Sequence, residues 1–176
     1  MVERNVSGFT RNIIRSRCAN LAAVRLSFGF FFLAFAFQAL GADVFYLGTW
    51  KIDSAVVAPW WTDAGKPDAA EMKSLVGKTV VIQPKAILGP RPVACKGPNY
   101  KVRDYPADIL FQGAFEEMHA RDKSVDPAKL AGGLGFRGTA WKTLETGCGN
   151  ELDYHFLDPN TAAFGLNNYV YLLRRR

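Results

Sequence analysis

The sequence predicts a mainly β protein in which an antiparallel sheet of eight strands is interrupted by short helices. Two observations lead to this prediction. Four β-rich runs separated by turns fill the chain after residue 138, and four further β-rich runs occur earlier, among helical segments. Eight antiparallel strands in one small domain are most simply accommodated by closing the sheet into a barrel, because closure removes the exposed strand edges. A β-sandwich or another α+β arrangement is the alternative.

The predicted strands are runs of β-branched and aromatic residues bounded by glycine, proline, asparagine or aspartate. In the first half of the chain they cover residues 45–57, 78–83, 86–88 and 100–104. In the second half they cover residues 139–148, 151–157, 161–165 and 168–174, with turns between them. Because these last four runs follow each other so closely, they predict an antiparallel meander.

Three short helices are predicted between the early strands. The first begins near Asp68 and ends at Gly77, and the second begins at Pro106. The third is announced by Asp126 followed by Pro127, since aspartate is a good N-cap and proline fits the first helical position. The segment around Cys95 is rich in proline and glycine, which predicts irregular structure there.

The first 42 residues predict an export signal. Five arginines and one glutamate precede an uncharged apolar block, residues 26–42, which ends in the small residues Gly41 and Ala42. We expect cleavage before Asp43, leaving residues 43–176 as a single domain. An uncleaved membrane anchor is the alternative, because about 17 apolar residues is the lower limit for spanning a bilayer. The protein is expected to be periplasmic or secreted. Contact with a membrane is expected only through this leader, if the leader is not cleaved.

Removing the leader changes the charge of the chain. The net charge of +6 falls to +2, with 17 basic and 15 acidic residues left in residues 43–176. The basic excess therefore belongs largely to the leader and to the C-terminal arginines, so a nucleic-acid partner is not expected.

Two cysteines remain after the leader, Cys95 and Cys148. In an oxidising compartment they are expected to form a disulfide. Metal ligation by these cysteines and a histidine would be the alternative, but the close spacing that preorganises a metal site is absent from the sequence. We therefore predict neither a metal site nor a cofactor.

Gly48-Thr49-Trp50, near the beginning of the first strand, resembles the G-x-W motif of lipocalins and the wider calycin group. The resemblance implies a lipocalin-like barrel and an arginine at the end of the last strand as the partner of Trp50. Three arginines, residues 174–176, stand there, and Arg174 is our choice. A guanidinium can stack on the tryptophan ring while it donates to nearby carbonyls.

The function expected from this resemblance is non-enzymatic binding of a small, largely apolar ligand. Candidate residues for the rim or lining of the binding site are aromatic: Trp60, Trp61, Tyr100 and Tyr105. The first alternative is a filled barrel whose loops bind or inhibit another protein.

An uncharacterised enzyme is the second alternative. Asp153 and His155 are two residues apart on a predicted strand, so they share one face and a carboxylate could orient the imidazole. No nucleophile motif accompanies them, and no catalytic residue is assigned.

Overall fold

The computed structural model describes residues 44–63, 65, 67 and 69–176. The predicted signal and Asp68 lie outside these residues. The described residues form nine strands, one more than predicted. They are β1 Gly48–Val57, β2 Thr79–Gln83, β3 Ala86–Leu88, β4 Cys95–Lys96, β5 Lys101–Tyr105, β6 Trp141–Glu145, β7 Asp153–Asp158, β8 Thr161–Leu166 and β9 Tyr169–Arg175.

Three α-helices are present among the described residues, as predicted, and their bounds differ from the predicted ones. α1 covers Ala70–Leu75, α2 covers Leu110–Arg121 after a short 3-10 turn, and α3 covers Pro127–Gly133. The predicted N-cap of α3 is confirmed, since the Asp126 carboxylate accepts hydrogen bonds from the backbone N–H groups of Ala128 and Lys129. Within the described residues, no helix is long and apolar enough to cross a bilayer.

All nine strands form one antiparallel sheet in the order β4-β3-β2-β1-β9-β8-β7-β6-β5. The first and last strands of the chain are neighbours at its centre, where Trp50 pairs with Arg175 and Val57 with Tyr169. The sheet is curled into a half-barrel, so the mainly β, barrel-like prediction is confirmed.

The prediction of a closed eight-stranded barrel is wrong, because β4 and β5 at the two ends of the sheet do not pair. β4 has only two residues and lies in a segment that contains Pro90, Pro92 and Pro98. Proline has no N–H to donate to a ladder, so this segment cannot provide a long strand to complete the barrel.

Side-chain links bridge the gap between β4 and β5, which we call the seam. The predicted disulfide is present: Cys95 and Cys148 are joined, with their Cα atoms 6.1 Å apart. The Tyr100 hydroxyl donates to the Gln83 carbonyl at 2.9 Å, and the Asn150 side-chain amide donates to the Pro92 carbonyl at 3.0 Å. The two ends of the sheet are therefore held together without backbone pairing.

The curled sheet has apolar residues on both faces. The inner cluster, on the enclosed face, contains Trp50, Ile52, Tyr154, Phe164 and Tyr171 among its buried members. The outer cluster lies on the other face beneath α2 and α3, and includes Phe111, Phe115, Phe136, Trp141 and Val170. Because helices cover the outer face, successive residues of β7 to β9 are buried on both sides of the sheet.

Candidate functional site

Trp50, near the start of β1, is fully buried in the inner cluster, and an arginine near the end of β9 lies over its ring. The arginine that lies over its ring is Arg175, with the guanidinium carbon 4.4 Å from the ring centroid. The same guanidinium donates to the carbonyls of Phe45, Leu47 and Pro159. The choice of Arg174 is wrong. Its guanidinium bonds the Thr161 hydroxyl at 2.9 Å, because adjacent residues of a strand point to opposite faces.

The four aromatic candidates are not brought together in one site. Trp60 and Tyr105 pack against the outer cluster, whereas Tyr100 packs against the inner cluster and bridges the seam. Trp61 donates its indole N–H to the Gly65 carbonyl. Trp60 donates to the Asn167 carbonyl, and Tyr105 donates to a Glu145 carboxylate oxygen at 2.6 Å.

Asp153 and His155 do not form the pair considered from the sequence. The imidazole of His155 is fully buried, and its Nε2 accepts a hydrogen bond from the Phe111 backbone N–H at 3.0 Å. The proton of the neutral ring is therefore on Nδ1, which lies 2.8 Å from the Thr143 hydroxyl and donates to it. Asp153 instead accepts from the Thr146 backbone N–H. Both ring nitrogens of His155 are occupied, so neither is free to act on a substrate.

Burial also controls the protonation of these two groups. Desolvation lowers the pKa of His155 to about 3, which keeps the ring neutral. Desolvation raises the pKa of Asp153, against the opposing effect of its hydrogen bonds from Thr146 and Gln112. This neutral histidine supports the fold, because it accepts the hydrogen bond that anchors the start of α2.

A groove of about 520 Å³ opens where the inner and outer clusters both reach the surface, beside the C-terminal end of β7. Phe45 and Phe156 reach it from the inner cluster, and Trp141 and Leu157 from the outer one. Ala140 and Pro159 complete its apolar lining. Phe45 and Phe156 pack edge-to-face, with ring centroids 4.8 Å apart.

The charged side chains that line this groove have a net charge of zero. Two are basic and two are acidic: Arg137, Lys142, Asp104 and Asp158. Lys142 is paired with Asp104 at 3.3 Å. The Asp158 carboxylate accepts from the Asn160 backbone N–H at 2.8 Å, which fixes the turn after β7. With no net charge, the groove favours a neutral ligand over an ionic one.

Two other cavities have a different chemistry. One of about 510 Å³ lies beside α2 and α3 and is lined by Asp108, Glu116, Asp126 and His119, among others. The other, about 330 Å³, is lined by Glu71, Asn167, Asn168 and Tyr169. Within the described residues, no group of three or more His, Cys, Asp or Glu side chains is arranged to hold a metal ion.

The sequence prediction missed the groove because its apolar lining comes from distant parts of the chain. Phe45, Trp141 and Phe156 each lie in or beside a predicted strand, where an aromatic residue is expected as core. Only the register of β5, β6 and β7, together with the turn before β1, brings them to one edge. The one sequence feature that could have indicated the groove was Trp141, a large aromatic residue directly after the glycine-rich segment that precedes β6.

Comparison with known proteins gives no relative. No protein-family model, no curated protein and no solved structure matches the chain.

Proposed function

We propose that this chain is an exported, lipocalin-like half-barrel that binds a small, neutral, largely apolar molecule in the groove beside β7. The groove is the single observation that carries the proposal. Its volume of about 520 Å³ lies in the usual range for small-molecule sites, roughly 300–1,000 Å³. Its aromatic lining and balanced charges suit a ligand that is apolar and uncharged.

Two further observations support the rest of the proposal. A disulfide between Cys95 and Cys148 is the chemistry of an oxidising compartment, which favours a periplasmic or secreted protein. The stacking of Arg175 on Trp50 is the contact that the lipocalin resemblance implies at the end of the last strand. The enzyme alternative has no such support, because His155 has no free nitrogen.

The test is a fluorescence titration with the neutral apolar probe N-phenyl-1-naphthylamine. Ala140 is exposed and lines the groove, so Ala140→Phe fills the groove with little effect on the core. Ala128 is also exposed and lines the acidic cavity beside α3, which makes Ala128→Phe the matched control. We expect saturable binding to the wild type, an affinity at least tenfold lower in A140F, and no change in A128F.

Two outcomes would contradict the proposal. One is the absence of saturable binding to the wild type. The other is equal affinity in the wild type and A140F. A groove that binds no small molecule would favour the protein-interaction alternative, in which the loops contact another protein.

A further inference from the structure

The strand β1 is paired on both sides along only half of its length. On one side β9 pairs with it to the end of the strand, whereas on the other side β2 pairs only with residues 48–51. The last backbone hydrogen bonds on the β2 side are those of Ile52 with Gly77 and Lys78. Among the described strands none lies beside residues 53–57 on this side, so these residues form an edge within the sheet.

The register of β1 against β9 determines which backbone groups point to this edge. Ala58 is opposite Asn168 in this register and donates its N–H to the Asn168 carbonyl at 2.9 Å. In an antiparallel pair, positions that are bonded in this way alternate with positions whose backbone groups point away from the neighbouring strand. Val56 is therefore bonded to β9, whereas the N–H and C=O groups of Ala55 and Val57 point to the edge.

The side chains at this edge are apolar and exposed. Val56 is 41% exposed and Val57 is 47% exposed, and both are among the few large apolar side chains that the described residues present to solvent. Natural proteins usually protect a strand edge with lysine, proline or a bulge. Here a bulge at Asp53 and the ring of Pro59 mark the two ends, and residues 54–58 between them contain no charge and no proline. The edge between these ends is therefore open to a further strand.

We propose that this edge is a self-association surface, at which β1 pairs antiparallel with β1 of a second copy of the chain about a two-fold axis at Val56. In this register Ala55 lies opposite Val57 of the second copy, and their outward N–H and C=O groups form four hydrogen bonds across the two-fold axis. The two Val56 side chains meet between these bonds, at the position where opposite side chains are closest.

A second copy is the partner that fits both ends of this edge. The two-fold axis places Asp53 opposite Pro59 of the second copy, so the two Asp53 carboxylates are far apart and no like charges oppose each other. Proline has no N–H that would need an acceptor, so the pairing can end there without leaving a donor unsatisfied. A contact of one short strand belongs with interfaces below about 1,200 Å², which are typically transient, so we expect a reversible dimer.

The dimer is independent of the groove. Phe45, which lines the groove, precedes the start of β1, whereas Val56 lies near the end of this strand. Binding of N-phenyl-1-naphthylamine should therefore be the same in variants that dimerise and variants that do not. Failure of either proposal leaves the other intact.

The first test is disulfide trapping in the full chain. In the proposed dimer the Cα atoms of two Val56→Cys copies are about 4.5 Å apart, a distance that a disulfide spans. Val57→Cys is the control for register, because it lies diagonally across from its counterpart at roughly 7–8 Å, which is too far for a disulfide. Leu88→Cys, 49% exposed on β3, is the control for exposure, and the wild type, which contains Cys18, gives the background. On non-reducing gels we expect V56C to form the cross-linked dimer about tenfold faster than V57C or L88C.

The second test uses charge at the two-fold axis. Val56→Lys and Val56→Glu each place like charges opposite one another, and each should weaken self-association about 5- to 10-fold in sedimentation velocity. A mixture of the two variants places opposite charges across the axis, so it should restore the dimer. Leu88→Lys, which adds the same charge at another exposed apolar residue, should behave as the wild type does.

The proposal is overturned if V56C is cross-linked no faster than V57C and L88C. It is also overturned if the mixture of V56K and V56E associates no more strongly than either variant alone. A wild type that stays monomeric up to millimolar concentration would overturn it as well, and would leave this edge as a pairing site for a strand of another protein.

Discussion

At the scale of single residues, two side chains on the sheet have roles that differ from those their sequence positions indicate. His155 stands next to an aspartate-tyrosine pair that invites a catalytic interpretation, yet it is a neutral hydrogen-bond bridge between β6 and the start of α2. Arg175, and not its neighbour Arg174, covers Trp50. In both cases the direction of a side chain from its strand decides the role, and a shift of one residue reverses that direction.

His155 makes the stability of the fold sensitive to acid. In the folded state its pKa is lowered to about 3, whereas in the unfolded chain it is near 6.5. Below about pH 6.5 the unfolded state therefore binds a proton that the folded state does not. Stability falls as the pH falls, by up to about 1.4 kcal/mol per pH unit from this residue.

We expect His155→Gln, which keeps an acceptor for the Phe111 N–H, to remove this part of the slope. The measurement is urea unfolding at about pH 6, 5 and 4, in which the slope and not the absolute stability is compared. Contributions from Asp153 and other carboxylates are common to both proteins. Equal slopes in H155Q and the wild type would show that His155 does not carry the effect.

The guanidinium of Arg175 is expected to be more important for stability than that of Arg174. It stacks on Trp50 and donates to three carbonyls, and lysine cannot reproduce this fork geometry. Arg175→Lys should reduce the free energy of unfolding by about 1–2 kcal/mol. Arg174→Lys, at an exposed residue with one side-chain bond, should change it by less than about 0.5 kcal/mol. Chemical denaturation of both variants checks this, and equal losses would contradict it.

At the scale of secondary-structure elements, the start of α2 has an unusual backbone. Phe111, Gln112 and Gly113 have left-handed φ values of 54°, 57° and 79° within what was predicted as a regular helix. This left-handed conformation is sterically unfavourable for Phe111 and Gln112, and contacts of their side chains stabilise it. The Phe111 ring packs on His155 with centroids 4.7 Å apart, and the Gln112 amide donates to the Glu151 carbonyl. No periodicity in the sequence could show this turn, because its cause is tertiary.

Gly113 is the residue whose conformation can be tested without a clash. An added Cβ would meet nothing closer than a Glu116 carboxylate oxygen at 3.9 Å, so Gly113→Ala reports the backbone cost alone. We expect a loss of about 1 kcal/mol in unfolding free energy. Gly132→Ala, inside α3 and with no atom near the added Cβ, should be neutral or stabilising by up to about 1 kcal/mol. Circular dichroism with urea distinguishes the two, and a stabilising G113A would contradict a left-handed turn.

At the scale of the whole molecule, the local sequence pattern predicted the antiparallel strands of the sheet but not that the sheet stays open. The meander β6 to β9 follows from four β-rich runs separated by turns, and the disulfide was predicted from the two cysteines that follow the predicted export signal. The failure to close depends on how Pro90, Pro92 and Pro98 shorten β4, which strand counting does not measure. The groove depends on strand register, which the sequence pattern does not show. The four aromatic residues expected to bind a ligand do not form one site, because Trp60 and Tyr105 face the helices.

The disulfide is expected to be the main restraint on the seam. It closes a separation of 53 residues, and loss of such a cross-link costs about 4 kcal/mol in the simple loop model. The double variant Cys95→Ser with Cys148→Ser should therefore have a much lower urea midpoint than the wild type. Wild-type protein treated with a reductant is the control and should match it. A loss below about 1 kcal/mol would show that the other links hold the seam closed by themselves.

The proposed function is tested most directly by mapping the probe on the protein surface. Backbone ¹⁵N–¹H resonances of the full chain are followed during a titration with N-phenyl-1-naphthylamine. We predict saturable shifts at Ala140, Lys142 and Leu157 in the groove, and none at Ala128 beside α3 or at Asn168 beside Glu71. No saturable shift, or shifts centred on the other cavities, would contradict the assignment of the groove as the binding site.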